Sequence, residues 1–357
     1  MNIIHIVSNK VWGGGERYVL DLCQALRADG HTPLVISRNY QPVTELFRNA
    51  GFLAAIMPMR GVAGIFAPVN IASFVNKLEG DTLIHVHNFK DAEIALQARK
   101  LAKNPEKIKV VATRHLVKPA GTSSSKTKTY SGLDAIIFVS KLALDEFLSS
   151  NPTVDRSKLH VVHNSVAMEP LTTKKSVSRP VRLIFSGRIV PEKGLDTLLR
   201  ALAELKDLDW RLAVCGTGRG PDVMPLVRSA RSLEINDRID WKGHIDNVAD
   251  ELREAHIAVM PSRWAEPFGL AAVEALSQRC ALVATNNGAQ AEFLTDGSTA
   301  LLVRPDSPAE LAAAIRKLIE SPALTERLAE KGAEHFANNL SYSKFYDKTL
   351  RIINSLF

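Results

Sequence analysis

The sequence predicts an α/β protein made of two doubly wound, parallel-sheet domains. Three observations predict it. Short, continuous apolar runs rich in Val and Ile alternate with amphipathic helical stretches along the chain, as strands covered on both faces require. The length of 357 residues exceeds one average domain. The rhythm is interrupted by one polar, proline-bounded segment, residues 169–180 (EPLTTKKSVSRP), and then restarts, so this segment is the linker candidate.

In the first half the strands are expected at residues 2–8, 32–37, 52–57, 83–86, 109–113, 135–139 and 159–162. Helices are expected near 43–50, 69–78, 91–102 and 142–148, with another from Glu16 to Arg27 opened by Gly13–Gly14–Gly15 and ended by Gly30. A strand, a glycine turn and a helix bring a ligand close to backbone N–H groups, although GGG is not the dinucleotide pattern GxGxxG. Doubly wound sheets bind ligands at the C-terminal ends of their strands. The residues expected there are His85, His87 and Asn88, then Arg114 and His115, Ser140 and Lys141, and His163, Asn164 and Ser165. His85 and His87 alternate and are read as pointing to opposite faces; with no third ligand evident, no metal is expected. The basic stretch 116–130 (LVKPAGTSSSKTKTY) reads as a long polar loop, either plain surface or a lid over an acceptor, carrying Lys118, Lys126 and Lys128.

The second half repeats the alternation. After the strand VRLIFS comes GRIVPEKG, where Arg188 and Lys193 flank a turn before a helix. A guanidinium fork, an ammonium and a helix end together suit a diphosphate. Further strands are expected at 210–215, 239–242, 256–261, 281–284 and 300–303, with NNGAQAEFL opening a helix and the remainder from about Pro308 helical. Between two of these elements lies RWAEPFGLAAVEA, residues 263–275. Glu266 sits in its loop and Glu274 on its helix, with seven residues between them. Carboxylates accept hydrogen bonds from sugar hydroxyls, and helix-end N–H groups bind phosphate. Two such domains imply a ligand cleft between them.

Composition limits the function classes. Apolar residues at 46% and charged residues at 23% exclude a disordered chain. Cys23, Cys215 and Cys280 form no CxxC and read as small buried hydrophobes in a reducing compartment. No apolar run is long enough for a membrane span, and MNIIHIVSNK lacks a signal peptide's charged start, so a cytoplasmic location is expected. The net charge is +7, and residues 1–167 hold 20 Lys/Arg against 13 Asp/Glu, while the rest is balanced. A basic half suits an anionic partner such as lipid headgroups or a phosphorylated acceptor, or else is ordinary solubilising charge. Aromatic–basic interleaving and nucleic-acid motifs are absent, so no nucleic-acid partner is expected.

With WGGGERYVLDLCQAL, the VHN and TRH strand ends, IIFVSK, VVHNSV, FSGRIVPEKGLDTLL, VCGTGRGP, WKGHID and MPSRWAEPFGLAAVEAL in view, the chain resembles a retaining glycosyltransferase of the family-four type, over nearly its whole length. The resemblance implies two Rossmann-like domains facing a cleft, the GT-B arrangement. Residues 1–167 would be the acceptor-side domain and 168–340 the nucleotide-sugar domain, with a C-terminal helix, about 341–357, crossing back to the first. It implies that Glu274 binds the donor's ribose and that Glu266 faces the transferred sugar. Arg188 and Lys193 would hold the diphosphate, and Phe268, Gly269 and Leu270 would offer backbone donors. His244 and Ile245 would line the base pocket. Gly14 and Gly15 would approach from the first domain, with His115 beside the donor sugar and His87, Lys118, Lys126 and Lys128 on the acceptor side. The catalytic set would be His115, Glu266, Arg188 and Lys193, with no metal or other cofactor. The expected partners are a nucleotide-sugar donor, a glycan or lipid-linked acceptor, and peripheral contact with an anionic membrane at its inner face. A nucleotide-sugar epimerase of the same architecture, needing no acceptor, is the nearest enzymatic alternative. The chain departs from the family pattern at Asn164–Ser165–Val166, where glycine is usual at the middle position, and at Gly288–Ala289, where a glycine pair is common.

Overall fold

A computed structural model describes residues 1–9, 13–38 and 41–357. Trp12 of the glycine motif lies outside the described residues. The described chain divides into two compact units, residues 1–164 with 343–357, and residues 165–342.

In the first unit, β1 (Asn2–Val7), β2 (Thr32–Ser37), β3 (Leu53–Ile56), β4 (Thr82–Val86), β5 (Ile108–Arg114), β6 (Ala135–Phe138) and β7 (Leu159–Val161) form one parallel sheet in the order 3-2-1-4-5-6-7. Ile3, Ile4 and Ile6 of β1 are fully buried, as the unbroken apolar run requires of a central strand. The helices are α1 (Gly14–Ala28), α2 (Gln41–Asn49), α3 (Gly61–Gly64), α4 (Ala67–Val75), α5 (Phe89–Leu101), α6 (Ser124–Gly132) and α7 (Lys141–Leu148). The chain leaves β1 for β2 on one side and later returns to β4 on the other. The order therefore reverses beside β1, and the C-terminal ends of β1 and β4 flank the crevice that such a reversal opens.

The second unit is built the same way. Its sheet contains β8 (Val181–Ser186), β9 (Trp210–Cys215), β10 (Ile239–Gly243), β11 (Ile257–Met260), β12 (Ala281–Thr285) and β13 (Leu301–Val303), all parallel, in the order 10-9-8-11-12-13. The reversal falls between β8 and β11. Around the sheet lie α8 (Leu195–Ala203), α9 (Gly220–Ser232), α10 (Val248–Glu254), α11 (Leu270–Ser277), α12 (Pro308–Glu320) and α13 (Pro322–His335). Trp210 is buried and donates its indole N–H to the Leu205 carbonyl at 2.8 Å.

The last helix, α14 (Tyr342–Asn354), packs in the first unit. Phe345 meets Tyr18 edge-on at 5.2 Å, and the Tyr346 hydroxyl donates to Asp29 at 2.8 Å. Thr349 and Ile353 are fully buried, so one face of α14 is a core face.

Three expectations are corrected. Residues 169–180 are no linker: the units divide at Asn164 and Ser165, and this segment is a strap on the second unit. Lys175 donates to the Leu252 and Ala255 carbonyls at 2.6 and 2.7 Å, where α10 ends, and Gln278 donates to the Glu169 carbonyl at 2.8 Å. Lys175 thus satisfies carbonyls at the end of α10. The stretch 116–130 is not all loop, because Ser123 caps α6, and Thr129 and Tyr130 are buried. Its polar sequence has no apolar period to announce that helix. NNGAQAEFL opens only a short 3-10 turn, Ala289–Glu292. Ser165 has no positive φ. Its hydroxyl donates to the Leu340 carbonyl, a bond that the expected glycine could not make.

Candidate active site

The β8–β11 reversal gathers the charged residues of the second unit. Beyond β8, Arg188 is exposed, and its guanidinium has no partner among the described residues. Lys193 follows, in the 3-10 turn Pro191–Lys193, and its ammonium pairs with the Glu266 carboxylate beyond β11. Ser262 donates to the same carboxylate oxygen at 2.5 Å. Glu266 is only 5% exposed, so this is a sheltered ion pair and its charges are poorly screened.

Two glycines make the approach possible. Gly194 has φ +68°, and a Cβ there would lie 2.0 Å from the Pro261 carbonyl oxygen; its absence lets the β8 turn lie against the end of β11. Gly288 has φ +74°, and a Cβ would lie 2.4 Å from the Glu266 nitrogen. The same loop donates from the Ala289 N–H to the Glu266 carbonyl at 2.9 Å. Gly288→Ala is therefore expected to displace Glu266 and to destabilise the fold by about 1–3 kcal/mol. Urea unfolding measures that loss, and stability equal to wild type counts against the contact.

Residues that the sequence reading did not single out for the site hold this loop. Arg263 donates to Asp196, to Thr197 at 3.0 Å and to Asp306 at 2.9 Å. Its backbone N–H donates to the Glu192 carbonyl at 2.8 Å, which ties the β11 loop to the Lys193 turn. Thr285 donates to the Ser262 carbonyl at 2.9 Å, and Gln290 to the Thr285 carbonyl at 2.7 Å. The only sequence signal was position, since Ser262 and Arg263 lie just beyond Pro261, which follows the end of β11.

Gly269, at φ +92°, caps α11, and Leu270 begins it, so first-turn N–H groups are presented beside Glu266. Phe268 is buried against Phe293 at 5.0 Å, so its side chain is packing and only its backbone is placed to meet a ligand. Glu274 lies on α11, half-buried. His244 and Ile245 follow the edge strand β10; His244 is exposed and lies 3.3 Å from Asp246.

In the first unit, β1, β4 and β5 bring four imidazoles together. His5 and His85 are register partners, and both are fully buried. His5 Nδ1 is 3.0 Å from His87 Nε2, and His87 Nδ1 is 3.4 Å from His115 Nε2. His85 Nε2 is 2.7 Å from the Thr113 hydroxyl. The expectation of opposite faces for His85 and His87 is corrected: residues two apart in a strand share a face, and these rings lie 4.3 Å apart. Nitrogens of His5, His85 and His87 all lie within 4.8 Å of one another, so His5 is the third donor that the sequence did not reveal. Such a set suits zinc, but the direct His5–His87 bond accounts for the closeness by itself.

Burial holds all four rings neutral: His5 is pushed down to about 3 and His115 to about 4, with His85 and His87 well below the usual value. Neutrality sets the proton order. His5 Nε2 is buried with no acceptor, and an orphaned buried N–H costs about 1–3 kcal/mol. His5 therefore carries its proton on Nδ1 and donates to His87, and His87 donates from Nδ1 to His115. His115 keeps its proton on Nδ1, and its other nitrogen is occupied. The stability sign follows. Below pH 6.5 the unfolded histidines gain protons that folded His5 and His85 refuse, so stability falls as pH drops. His5, held near 3, is expected to cost up to about 1.4 kcal/mol per pH unit as pH falls from about 6.5 towards 3, and His85, His87 and His115 add losses of the same sign. Unfolding free energies at pH 7, 6 and 5 test this, and a flat profile contradicts it.

Tyr18 of α1 meets His115 edge-on at 4.9 Å. Gly14 and Gly15 start that helix. Arg114, a strand-end candidate, lies under the Phe89 and Phe147 rings and donates to the Lys118 and Pro119 carbonyls, so it shapes the following segment. Lys118 and Lys128 are exposed and Lys126 is half-buried.

Residues 12–169 match the model of Glycosyltransferase Family 4, and residues 172–335 match that of Glycosyl transferases group 1. The chain is a family-four glycosyltransferase. A glycogen synthase of Mycobacterium tuberculosis is 26% identical over 379 residues, covering 96% of this glycosyltransferase and 91% of the relative. A glycosyltransferase crystal structure from Rickettsia africae superposes with a TM-score of 0.87 at 22% identity, covering 99% of this chain and 98% of that one. The HepE protein of Anabaena, solved in complex with UDP-glucose, gives 0.83 at 18% identity, covering 99% and 100%. The glycosyltransferase thus has the GT-B fold.

Proposed function

We propose that this glycosyltransferase is a retaining enzyme that moves a sugar from a nucleoside-diphosphate sugar to an acceptor hydroxyl in cell-surface polysaccharide or lipopolysaccharide assembly. The observation that carries this is the Lys193–Glu266 pair beside the unpartnered Arg188 at the strand reversal. Two cations and the α11 N–H groups would receive the diphosphate, and the carboxylates would receive hydroxyls. HepE, of the same fold, has been solved with UDP-glucose. Glu274 would hold the ribose, His244 and Ile245 the base, and Phe268, Gly269 and Leu270 the sugar and distal phosphate. Gly14, Gly15 and His115 are the further residues assigned to the donor, and His87, Lys118, Lys126 and Lys128 those assigned to the acceptor.

In this mechanism the bond from the sugar to phosphate breaks with oxocarbenium character. Arg188 and Lys193 stabilise the charge that grows on the departing diphosphate. The acceptor hydroxyl enters on the face that the diphosphate leaves and passes its proton to the leaving phosphate. His115, with its proton on Nδ1, donates a hydrogen bond to the sugar and does not act as a base. No metal is needed, because the cations and helix ends supply the positive charge.

No helix among the described residues is long and apolar enough to cross a membrane. The excess of basic residues in the first half suits a lipid-linked or anionic acceptor and contact with an anionic membrane. A panel of nucleotide sugars, read by thermal shift and by donor hydrolysis, tests the function. Stabilisation by one nucleotide series with slow hydrolysis of its sugar is expected. No response to any nucleotide sugar overturns the reading.

A further inference from the structure

The reversal beside β1 in the first unit opens a cavity of about 470 Å³, lined by Ser8, Asn9, Arg38, Arg60, Asn88 and Lys90. These residues come from the C-terminal ends of β1, β2 and β4, from Arg60 just before α3, and from the start of α5. Three of the six are cations. Arg60 is committed to Asp91 at 3.0 Å. The side chains of Arg38 and Lys90 form no hydrogen bond or ion pair among the described residues and act on Asp91 only through the field of their charge. The acids nearby are withdrawn from the cavity. Asp91 is fully buried beneath it, and Glu16 is buried and receives the Asn9 amide at 2.6 Å. At the mouth, α5 begins at Phe89; Asn88 caps it, its side chain accepting from the Lys90 N–H at 3.1 Å and its carbonyl from the Asp91 N–H at 2.8 Å, so that the positive end of the helix dipole lies at the cavity.

The geometry points to an anion subsite that holds a phosphate monoester carried by the acceptor. Arg38 and Lys90, neither of them held in an ion pair, match the charge of a phosphate dianion, and the positive end of the α5 dipole adds a field of the same sign. Ser8, Asn9 and Asn88 offer neutral donors and acceptors for the hydroxyls of the attached sugar or polyol. The volume lies within the range of ligand pockets and holds a sugar phosphate with room to spare. None of these residues belongs to the proposed donor set. The ligand's role as acceptor rests on the transferase reading; the anion site itself does not.

The test titrates the full chain with glucose 6-phosphate, inorganic phosphate and glucose by calorimetry at low salt. Both phosphates are expected to saturate a site and glucose is not, with affinity falling as salt is raised. The double variant Arg38→Gln/Lys90→Gln is expected to weaken both phosphates by at least about tenfold. Lys90→Gln alone, at an exposed position, guards against misfolding and is expected to weaken them by a smaller factor. No saturable phosphate binding, or equal affinity in the variants, overturns the subsite. Acceptor-free hydrolysis of nucleotide sugars by the wild-type chain reads the transferase function separately. Hydrolysis without phosphate binding sinks the subsite alone. Phosphate binding that depends on Arg38 and Lys90, with no donor hydrolysed, upholds the subsite and sinks the transferase reading.

Discussion

Glu266→Gln is expected to lower turnover by about 10²–10³-fold while leaving nucleotide affinity within a few-fold of wild type. The carboxylate is buried, pairs with the Lys193 ammonium and accepts from Ser262. An amide keeps the volume and the Ser262 bond but removes the counter-charge from Lys193. Losing one partner of a buried pair can cost about 3–5 kcal/mol, and water reaching the lysine reduces that to about 1–3 kcal/mol here. A bound diphosphate offers the stranded ammonium a new partner. Nucleoside diphosphate should therefore raise the melting temperature of the variant by more than it raises that of the wild type. Equal shifts in both proteins, or wild-type turnover, would show that the pair has no part in donor binding.

Arg188→Ala is expected to cost a similar factor in turnover, about 10²–10³, but with no loss of stability. The side chain is exposed and holds nothing in place, so removing it disturbs no folded contact. Its proposed work is confined to the charge that develops on the leaving diphosphate, so kcat should fall more than nucleotide affinity does. Arg188→Lys should recover part of the rate, since a point charge replaces a planar fork. Unchanged turnover with a saturating donor would remove Arg188 from the mechanism.

The strands were legible because a buried parallel strand needs an unbroken apolar run; VRLIFS and NIIHIV could be little else. The paired acids were legible for a different reason: GRIVPEKG and AEPFGLAAVEA are local, so their residues must lie at the ends of two known strands. Helix α6 was hidden because its stability comes from the Ser123 cap and from Thr129 and Tyr130 packing inward, neither of which leaves an apolar period. The 169–180 strap looked like a linker because the carbonyls that Lys175 satisfies lie far along the chain.

By itself, then, the sequence determined the two-sheet architecture and which charged residues stand at strand ends, since both depend on local pattern. Tertiary structure alone decided which of them meet. The union of Lys193 with Glu266, the gathering of His5 with His85, His87 and His115, and the convergence of Arg38, Arg60 and Lys90 all join segments distant in sequence. Each arises from the order in which strands are laid side by side, and that order is set by packing across the whole sheet rather than by any stretch within it.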